Sequence, residues 1–329
     1  MRKMSPGRRR ALSALAAIGI PAGWPATPAF AQSGKEIRIG YGATLAWAVD
    51  LIAVEERLYE KAGLNFKVNR FESGKAIRDA MVGGATDIGP MAATPFVLGA
   101  SKGDLVAVAV TSYFGGVNYV QVRADSTIQR NEDLRGRKVG TQVGSLTHSV
   151  FIEKIAPAHG LKPGDYQIVN IGNTGLVPAL AAGTVDCVTS LEPFAGIAEN
   201  EKIARTLTSF SKFDAMPTLL VTRAQFIEQS EAEVVGMLRA WLAAAKIYRD
   251  DRARTLAVLQ RMFEKDGYTV PASVLARGVD RLRVETDLTP ELRVYLQEQA
   301  ETLRRAGHIT TMPDWNKSLR PDILRKASS

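Results

Sequence analysis

The sequence predicts an α/β protein built from two doubly wound lobes. From Lys35 onward, short apolar runs alternate with amphipathic stretches of helical spacing, and turns of small residues separate them. Strands that alternate with helices are typical of a mainly parallel sheet covered by helices. The alternation restarts once, after an extended segment near residue 120. Two such lobes joined by two crossover strands enclose a cleft, and open α/β sheets bind ligands beyond the carboxyl ends of their strands.

The predicted elements follow one another in a regular order. Strands are expected at 37–41, 66–71, 87–91 and 105–112 in the first lobe, and at 138–141, 167–171, 185–190 and 205–210 in the second. Helices are expected at 47–62, 75–82, 95–100, 145–159, 176–182 and 193–199, followed by four at 231–249, 252–265, 271–282 and 290–306. The segments 118–123 and 218–222 are predicted to be the two crossovers.

The first 31 residues have the three parts of a secretory signal. A basic start precedes an apolar run over 11–20, and Ala29-Phe30-Ala31 offers a small-x-small cleavage site. A retained membrane anchor is the alternative, but prolines interrupt the run well before the about 20 apolar residues that a spanning helix needs. We expect a periplasmic protein that begins at Gln32. Export by Sec or by Tat stays open, because the basic start contains only a loose twin-arginine pattern, at Arg8, Arg9 and Arg10.

Removal of this signal lowers the net positive charge of the chain. The chain has 42 Lys and Arg against 34 Asp and Glu, and five of the basic residues lie in the signal, so the mature net charge is 37 − 34 = +3. That value does not point to nucleic acid. The mature 298 residues (329 − 31) are expected to form two units, with lobe one covering 32–122 and 217–329 and lobe two covering 123–216. The single cysteine, Cys187, excludes an internal disulfide.

Searches for catalytic and metal-binding motifs find nothing convincing. Residues 40–45 begin like a dinucleotide-binding fingerprint, but Leu45 stands where the third glycine should be. The three histidines are not at metal-ligand spacing, and no nucleophile motif is present. We therefore expect no catalytic residue, no metal and no cofactor.

The candidate binding residues lie in turns that end a strand and begin a helix. Free N–H groups and a partial positive charge at helix N-termini favour an anion when several of them point into one cleft. The alternative for each hydroxyl is that it only caps its own helix. The turn residues predicted to bind ligand are Thr44, Ser73, Ala93, Thr94, Gly144, Ser145, Thr147, His148 and Asn173.

Several of these stretches resemble the nitrate/sulfonate/taurine-type solute-binding proteins of ABC transporters. The similarity includes Arg38-Ile39-Gly40-Tyr41, residues 53–59, Gly63-Leu64 and the segment from Ala80 to Gly89. In lobe two it includes 134–139, the Gly144-Ser145-x-x-His148 turn and 181–186. The resemblance implies a type II periplasmic-binding fold, closure on a small molecule, and an ABC permease and its ATPase as partners of a monomeric protein.

One departure from that family concerns the ligand. The family's usual Asp-Pro-Tyr near the lobe-two site is Glu192-Pro193-Phe194 here. Glu192 could contact a cationic group of a zwitterionic ligand, or it could cap the helix that Pro193 opens. Trp47 and Phe194 could stack on an apolar ligand body, or they could belong to the core.

The function expected from the sequence is capture of a small anionic or zwitterionic organic solute in the cleft. Alkanesulfonates, taurine, nitrate, aromatic acids and pyrimidines are all compatible with the family that the sequence resembles. The alternatives are a sensory receptor with the same fold, which the sequence does not separate from a transport protein, and an enzyme on the same fold, which the missing motifs disfavour.

Overall fold

Two five-stranded sheets organise the chain in the computed structural model, which describes residues 34–329. The predicted signal, its cleavage site and the start at Gln32 lie outside the described residues. The strands are β1 (Ile37–Tyr41), β2 (Phe66–Arg70), β3 (Ile88–Ala92), β4 (Leu105–Tyr113), β5 (Asn118–Arg123), β6 (Lys138–Thr141), β7 (Gln167–Asn170), β8 (Cys187–Leu191), β9 (Ala204–Ser209) and β10 (Pro217–Arg223).

The helices lie between and around these strands. They are α1 (Ala48–Glu55), α2 (Leu58–Lys61), α3 (Gly74–Val82), α4 (Ala93–Ala100), α5 (Leu146–Val150), α6 (Ala156–Ala158), α7 (Leu176–Ala181), α8 (Phe194–Asn200), α9 (Ala224–Asp250), α10 (Arg252–Lys265), α11 (Ala272–Arg281), α12 (Pro290–Arg305), α13 (Trp315–Ser318) and α14 (Pro321–Ser328). A π-helical turn at Phe151–Ile155 joins α5 to α6. Within residues 34–329, no helix is both long enough and apolar enough to cross a membrane.

The two sheets have the same arrangement, and the α/β fold class predicted from the sequence is confirmed. The strand orders are β2-β1-β3-β10-β4 and β7-β6-β8-β5-β9. In each sheet the first three strands are parallel, as β1 is to β2 and β3. The fourth strand in each order is antiparallel to both of its neighbours, so the sheets are mixed rather than parallel throughout.

The antiparallel strand in each sheet is the one that has just arrived from the other. β5 follows β4 in the chain and β10 follows β9, so the strands expected as crossovers are sheet members. The actual crossings are the short connections at 114–117 and 210–216. Because β5 pairs with β8 and β9, its sheet membership favours a lobe boundary before Asn118 rather than at residue 122.

Two predicted helices are interrupted, and two were missed. The helix expected over 47–62 divides at Arg57, whose φ of 55° is left-handed, so α1 and α2 point in different directions. The helix expected over 145–159 contains the π-helical turn. The short helices α13 and α14, which are four and eight residues long, were not predicted.

The core of the first lobe contains a buried acid. Asp50 on α1 is 1% exposed, and its Oδ1 accepts a 3.1 Å hydrogen bond from Trp241 Nε1 on α9. Its Oδ2 has no hydrogen-bond partner within residues 34–329. Burial raises the pKa of Asp50 from 3.8 to about 7, although the Trp241 bond opposes the rise. The folded protein therefore holds this proton more tightly than the unfolded chain does.

Asp50→Asn is expected to stabilise the protein at pH 8 and to have little effect near pH 4. The stability linked to the Asp50 proton is complete below pH 4 and is lost as the pH rises to about 7. Asparagine resembles the protonated acid, so the gain at pH 8 should be on the order of a few kcal/mol, at about 1.4 kcal/mol per pKa unit. Urea unfolding of both proteins at the two pH values measures the difference. A gain that is the same at pH 4 and pH 8 would contradict the assignment.

Candidate functional site

A cleft lies between the two sheets, beyond the carboxyl ends of their parallel strands. Its inner pocket contains about 550 Å³ of space not filled by protein atoms. Residues from both lobes line it: Thr44, Ala46, Trp47, Glu72, Ser73, Gly74, Lys75, Ala92, Pro95, Phe114, Gln142, Ser145, Leu146, Thr147, Asn173, Leu191 and Thr218. The position agrees with the general placement of ligand sites in α/β folds.

A second, more open space adjoins the inner pocket, and we call it the outer chamber. It has about 980 Å³ of unfilled space. Its walls are Ala43, Thr44, Trp47, Arg70, Phe71, Glu72, Asn173, Thr174, Leu191, Phe194 and Tyr268. Because five residues line both spaces, the two form one continuous cleft.

The structure brings seven of the twelve predicted site residues to this cleft. Thr44, Trp47, Ser73, Ser145, Thr147 and Asn173 line the inner pocket, and Phe194 lines the outer chamber. The other five line neither space: Ala93, Thr94, Gly144, His148 and Glu192. Direct ligand contact by any of the twelve stays a prediction.

Three of the five lie just behind the lining. Ala93 is fully buried at the start of α4, and Thr94 beside it is 2% exposed. The Thr94 hydroxyl donates to Ser149 Oγ at 3.4 Å, a bond that joins the two lobes. Gly144 has a φ of +83°, which a turn of this shape requires, and it lies beside the aliphatic part of Lys75.

His148 does not supply a cation to the cleft. It is half-buried on α5, and burial, followed by the nearby His308, lowers the pKa of His148 below its ordinary value. The imidazole is therefore neutral at pH 7. The backbone N–H of His148 has a different role, since it donates to Ser145 Oγ at 3.1 Å.

The cleft hydroxyls cap helices, as the alternative interpretation expected. Ser73 Oγ accepts from the Ala76 N–H at 3.2 Å, and Ser145 Oγ caps α5 through His148. Thr44 Oγ1 accepts from the Ala46 N–H at 3.4 Å. A hydroxyl that accepts one bond still has its own O–H to donate. Capping and ligand binding are therefore compatible at these three positions.

Trp47 forms a wall shared by both spaces, and Gly42 fixes its place. The indole is 6% exposed. A Cβ atom on Gly42 would lie 2.6 Å from Trp47 Cζ3 and 2.3 Å from the Phe71 carbonyl oxygen. Only glycine allows the chain and the ring to pack this closely, so the expectation that Trp47 faces the ligand depends on this neighbour.

The sequence interpretation missed four polar residues of the inner pocket, Glu72, Lys75, Gln142 and Thr218. Thr218 on β10 is 1% exposed, and its hydroxyl has no hydrogen-bond partner within residues 34–329. Lys75 lines the same pocket from the start of α3, where its side chain is 49% exposed and lies 3.8 Å from Asp79. From the sequence, Thr218 is indistinguishable from any other β-branched residue of a strand, and Lys75 is indistinguishable from any other charged residue on a helix surface.

The chain is similar in sequence to known periplasmic binding proteins. The model of the NMT1-like family matches residues 31–260, well over half of the chain. The chain belongs to the NMT1-like family. The taurine-binding periplasmic protein of Escherichia coli K12 is 24% identical over 225 residues, which are 67% of this chain and 68% of that protein.

Solved structures agree on the fold. The periplasmic aliphatic sulphonate binding protein SsuA from Escherichia coli has a TM-score of 0.74 at 22% identity, covering 89% of this chain and 100% of that one. The periplasmic nitrate-binding protein NrtA from Synechocystis PCC 6803 has a TM-score of 0.69 at 16% identity, covering 89% and 88%. The predicted resemblance is confirmed, and so is the class of solute-binding protein.

In this NMT1-like chain, the carboxylate of Glu192 is bonded to other residues of the protein. Glu192 is fully buried, and its Oε2 accepts from the Gly196 N–H at 2.9 Å, which caps α8. Arg277 Nη2 on α11 lies 3.3 Å from Glu192 Oε1 and 3.2 Å from Glu199 Oε2. Burial raises the pKa of Glu192, and Arg277 opposes the rise. The carboxylate is therefore engaged by a helix cap and an ion pair, which agrees with the alternative that Glu192 caps α8, and its contact with a ligand stays a prediction.

Arg277→Ala is expected to destabilise the protein by roughly 2 kcal/mol, because it leaves the Glu192 carboxylate buried without a cation. That is less than the about 3–5 kcal/mol typical of a fully buried pair, since water reaches the partly exposed Arg277. Glu192→Gln should cost less, because its amide oxygen still accepts from Gly196.

The double variant Glu192→Gln/Arg277→Ala provides the control. With no buried charge left to compensate, removal of Arg277 should cost little in that background. Chemical unfolding of the four proteins measures the coupling. Additive losses in the double variant would show that Arg277 does not compensate Glu192.

Proposed function

We propose that this protein captures a small organic anion or zwitterion in the inner pocket and delivers it to an ABC importer. The main support is Thr218, which lines the inner pocket and whose buried hydroxyl has no hydrogen-bond partner among the described residues. A buried polar group left unpaired is costly, and a ligand oxygen at this position would remove that cost.

Three further donors at the inner pocket favour a negative head group. Ser73 and Ser145 mark two helix starts that meet there from opposite lobes, and Lys75 adds a positive charge. Helix N-termini and an ammonium group both favour an anion. A cationic group on a zwitterion would be accepted by Glu72, which lines both spaces and is exposed, rather than by Glu192.

The remaining parts of the proposal follow from family membership. The relatives named above are binding proteins, and we infer a non-enzymatic periplasmic receptor that works as a monomer with a permease and its ATPase. Export through Sec or Tat removes residues 1–31. Lobe one, expected from the sequence at 32–122 with 217–329, then closes against lobe two, expected at 123–216, and we assign β5 to lobe two because it belongs to the second sheet.

The first experiment is a thermal-shift screen of sulfonates, nitrate, taurine and carboxylic acids. A ligand at 100 times its dissociation constant adds about 2.7 kcal/mol to stability, which shifts the melting temperature measurably. Calorimetric titration then gives the affinity of each compound that shifts it. Failure of all these anions to bind would contradict the proposed function.

Thr218→Val is expected to weaken ligand binding about tenfold or more without lowering the stability of the free protein. Loss of a hydrogen bond to a charged group costs about 1.5–3 kcal/mol, and about 1.4 kcal/mol corresponds to tenfold. The free protein loses an unpaired buried hydroxyl, so its melting temperature should stay the same or rise.

Thr222→Val is the matched control on the same strand, because the Thr222 hydroxyl donates to the Asp87 carbonyl at 2.7 Å, away from the cleft. It should lower stability and preserve affinity. Unchanged affinity in Thr218→Val would contradict the role of this hydroxyl.

Ser145→Ala should lower both stability and affinity. Loss of the α5 cap costs about 1 kcal/mol, and loss of the hydroxyl donor should weaken binding about tenfold. Thr289→Ala is the comparison, since Thr289 caps α12 through the Leu292 N–H at 3.3 Å and is not in the cleft. It should lower the melting temperature alone. If Ser145→Ala behaves in the same way as Thr289→Ala, Ser145 is only a cap.

A further inference from the structure

The outer chamber indicates how large the ligand is. It shares Thr44, Trp47, Glu72, Asn173 and Leu191 with the inner pocket. A ligand whose head group lies in the inner pocket therefore has unfilled space directly beside it, in a chamber that is open to solvent. Nitrate and a two-carbon aminosulfonate have no ring-sized apolar body that could contact the wall of this chamber.

Aromatic side chains form the wall of the chamber. Phe194, at the start of α8 in lobe two, packs edge to face against Tyr268, which lies between α10 and α11. Their ring centres are 5.0 Å apart and the rings are inclined at 77°. Both residues are half-buried, so part of each ring stays accessible from the chamber. The indole of Trp47 and the side chain of Leu191 provide apolar surface where the two spaces meet.

The lining of the chamber also includes charged groups. Arg70 is 46% exposed and pairs with Asp266 at 3.1 Å, and Glu72 lies nearby in the lining. Arg70 and Glu72 are exposed to water, so their charges are screened and select only weakly for a second charged group. The chamber therefore discriminates through the size and apolarity of the part of the ligand that contacts Trp47, Phe194 and Tyr268.

We infer that this site selects organic anions with a ring-sized apolar body over nitrate, taurine and one-carbon acids. The head group lies in the inner pocket, and the body lies against Phe194 and Tyr268. This inference rests on the proposed function and narrows its ligand class. Each buried methylene is worth roughly fourfold in affinity, so a body of six carbons should increase affinity well beyond tenfold.

The test compares pairs of ligands that share one head group. Methanesulfonate is titrated beside benzenesulfonate, and acetate beside benzoate, with taurine and nitrate as further small ligands. At least one ring compound should bind more than tenfold tighter than its one-carbon counterpart. If a small member, taurine or nitrate binds as tightly as the ring compounds, the inference is overturned and the proposed function stands.

Substitutions in the chamber wall test whether these side chains cause the higher affinity for ring compounds. Phe194→Ala should remove most of the advantage of the ring compound and leave the affinity of its one-carbon counterpart within about twofold. Phe194→Leu, which keeps apolar volume if the alanine variant folds poorly, should lie between. Tyr268→Phe keeps the edge-to-face ring pair and should preserve the advantage.

The outcomes separate the two claims. Equal losses for ring and one-carbon ligands in the Phe194 variants would overturn the inference alone, because binding in the inner pocket would remain. No binding by any of these anions would overturn the proposed function, and the inference with it.

Discussion

The two connections between the sheets run side by side, and the geometry of the cleft depends on this pairing. The Phe114 N–H donates to the Met216 carbonyl at 3.0 Å, and the Gly115 N–H donates to the Ala215 carbonyl at 3.1 Å. A Cβ atom on Gly115 would lie 2.2 Å from the Asp214 carbonyl oxygen, so a side chain here would force the connections apart. Because both crossings occur at one place, the carboxyl edges of the two sheets face each other.

Side-chain contacts around the connections limit how the lobes can move. Asp214, in the second connection, accepts from Lys154 Nζ at 2.5 Å and from the Tyr295 hydroxyl at 2.8 Å. Lys154 belongs to the lobe-two turn before α6, and Tyr295 to α12. Arg277 on α11 joins the same C-terminal region to Glu192. During closure by hinge bending, these contacts must either move together with the lobes or be exchanged for other contacts. The segment of each connection that bends is therefore short.

Sequence patterns predicted most elements of the fold because burial leaves a periodic signal. β1 and β6 have the predicted bounds, and the predicted turn hydroxyls of Thr44, Ser73 and Ser145 belong to residues that line the cleft. The unpaired hydroxyl of Thr218 and the ion pair of Glu192 could not be predicted from the sequence. The sequence does not show whether the hydroxyl of a buried strand threonine has a hydrogen-bond partner, and the cation beside Glu192 is 85 positions away in the chain. Sequence spacing predicts which residues share an edge, but it does not predict which of them already have partners.

The pairing of Glu192 also affects the electrostatics of the cleft. Leu191 and Phe194, on either side of Glu192 and Pro193, line the outer chamber, so an uncompensated carboxylate between them would repel an anion bound nearby. Arg277 offsets this charge from the far side, in a partly buried position where water screens the attraction only in part. The donors at the inner pocket are mostly neutral, and only Lys75 is a cation. With so little positive charge available, the anion binding that we propose would depend on the compensation of Glu192 as well as on the hydroxyl and N–H groups of the inner pocket. The α11 helix, which contributes no residue to the lining of either space, would thereby help the cleft to accept an anion.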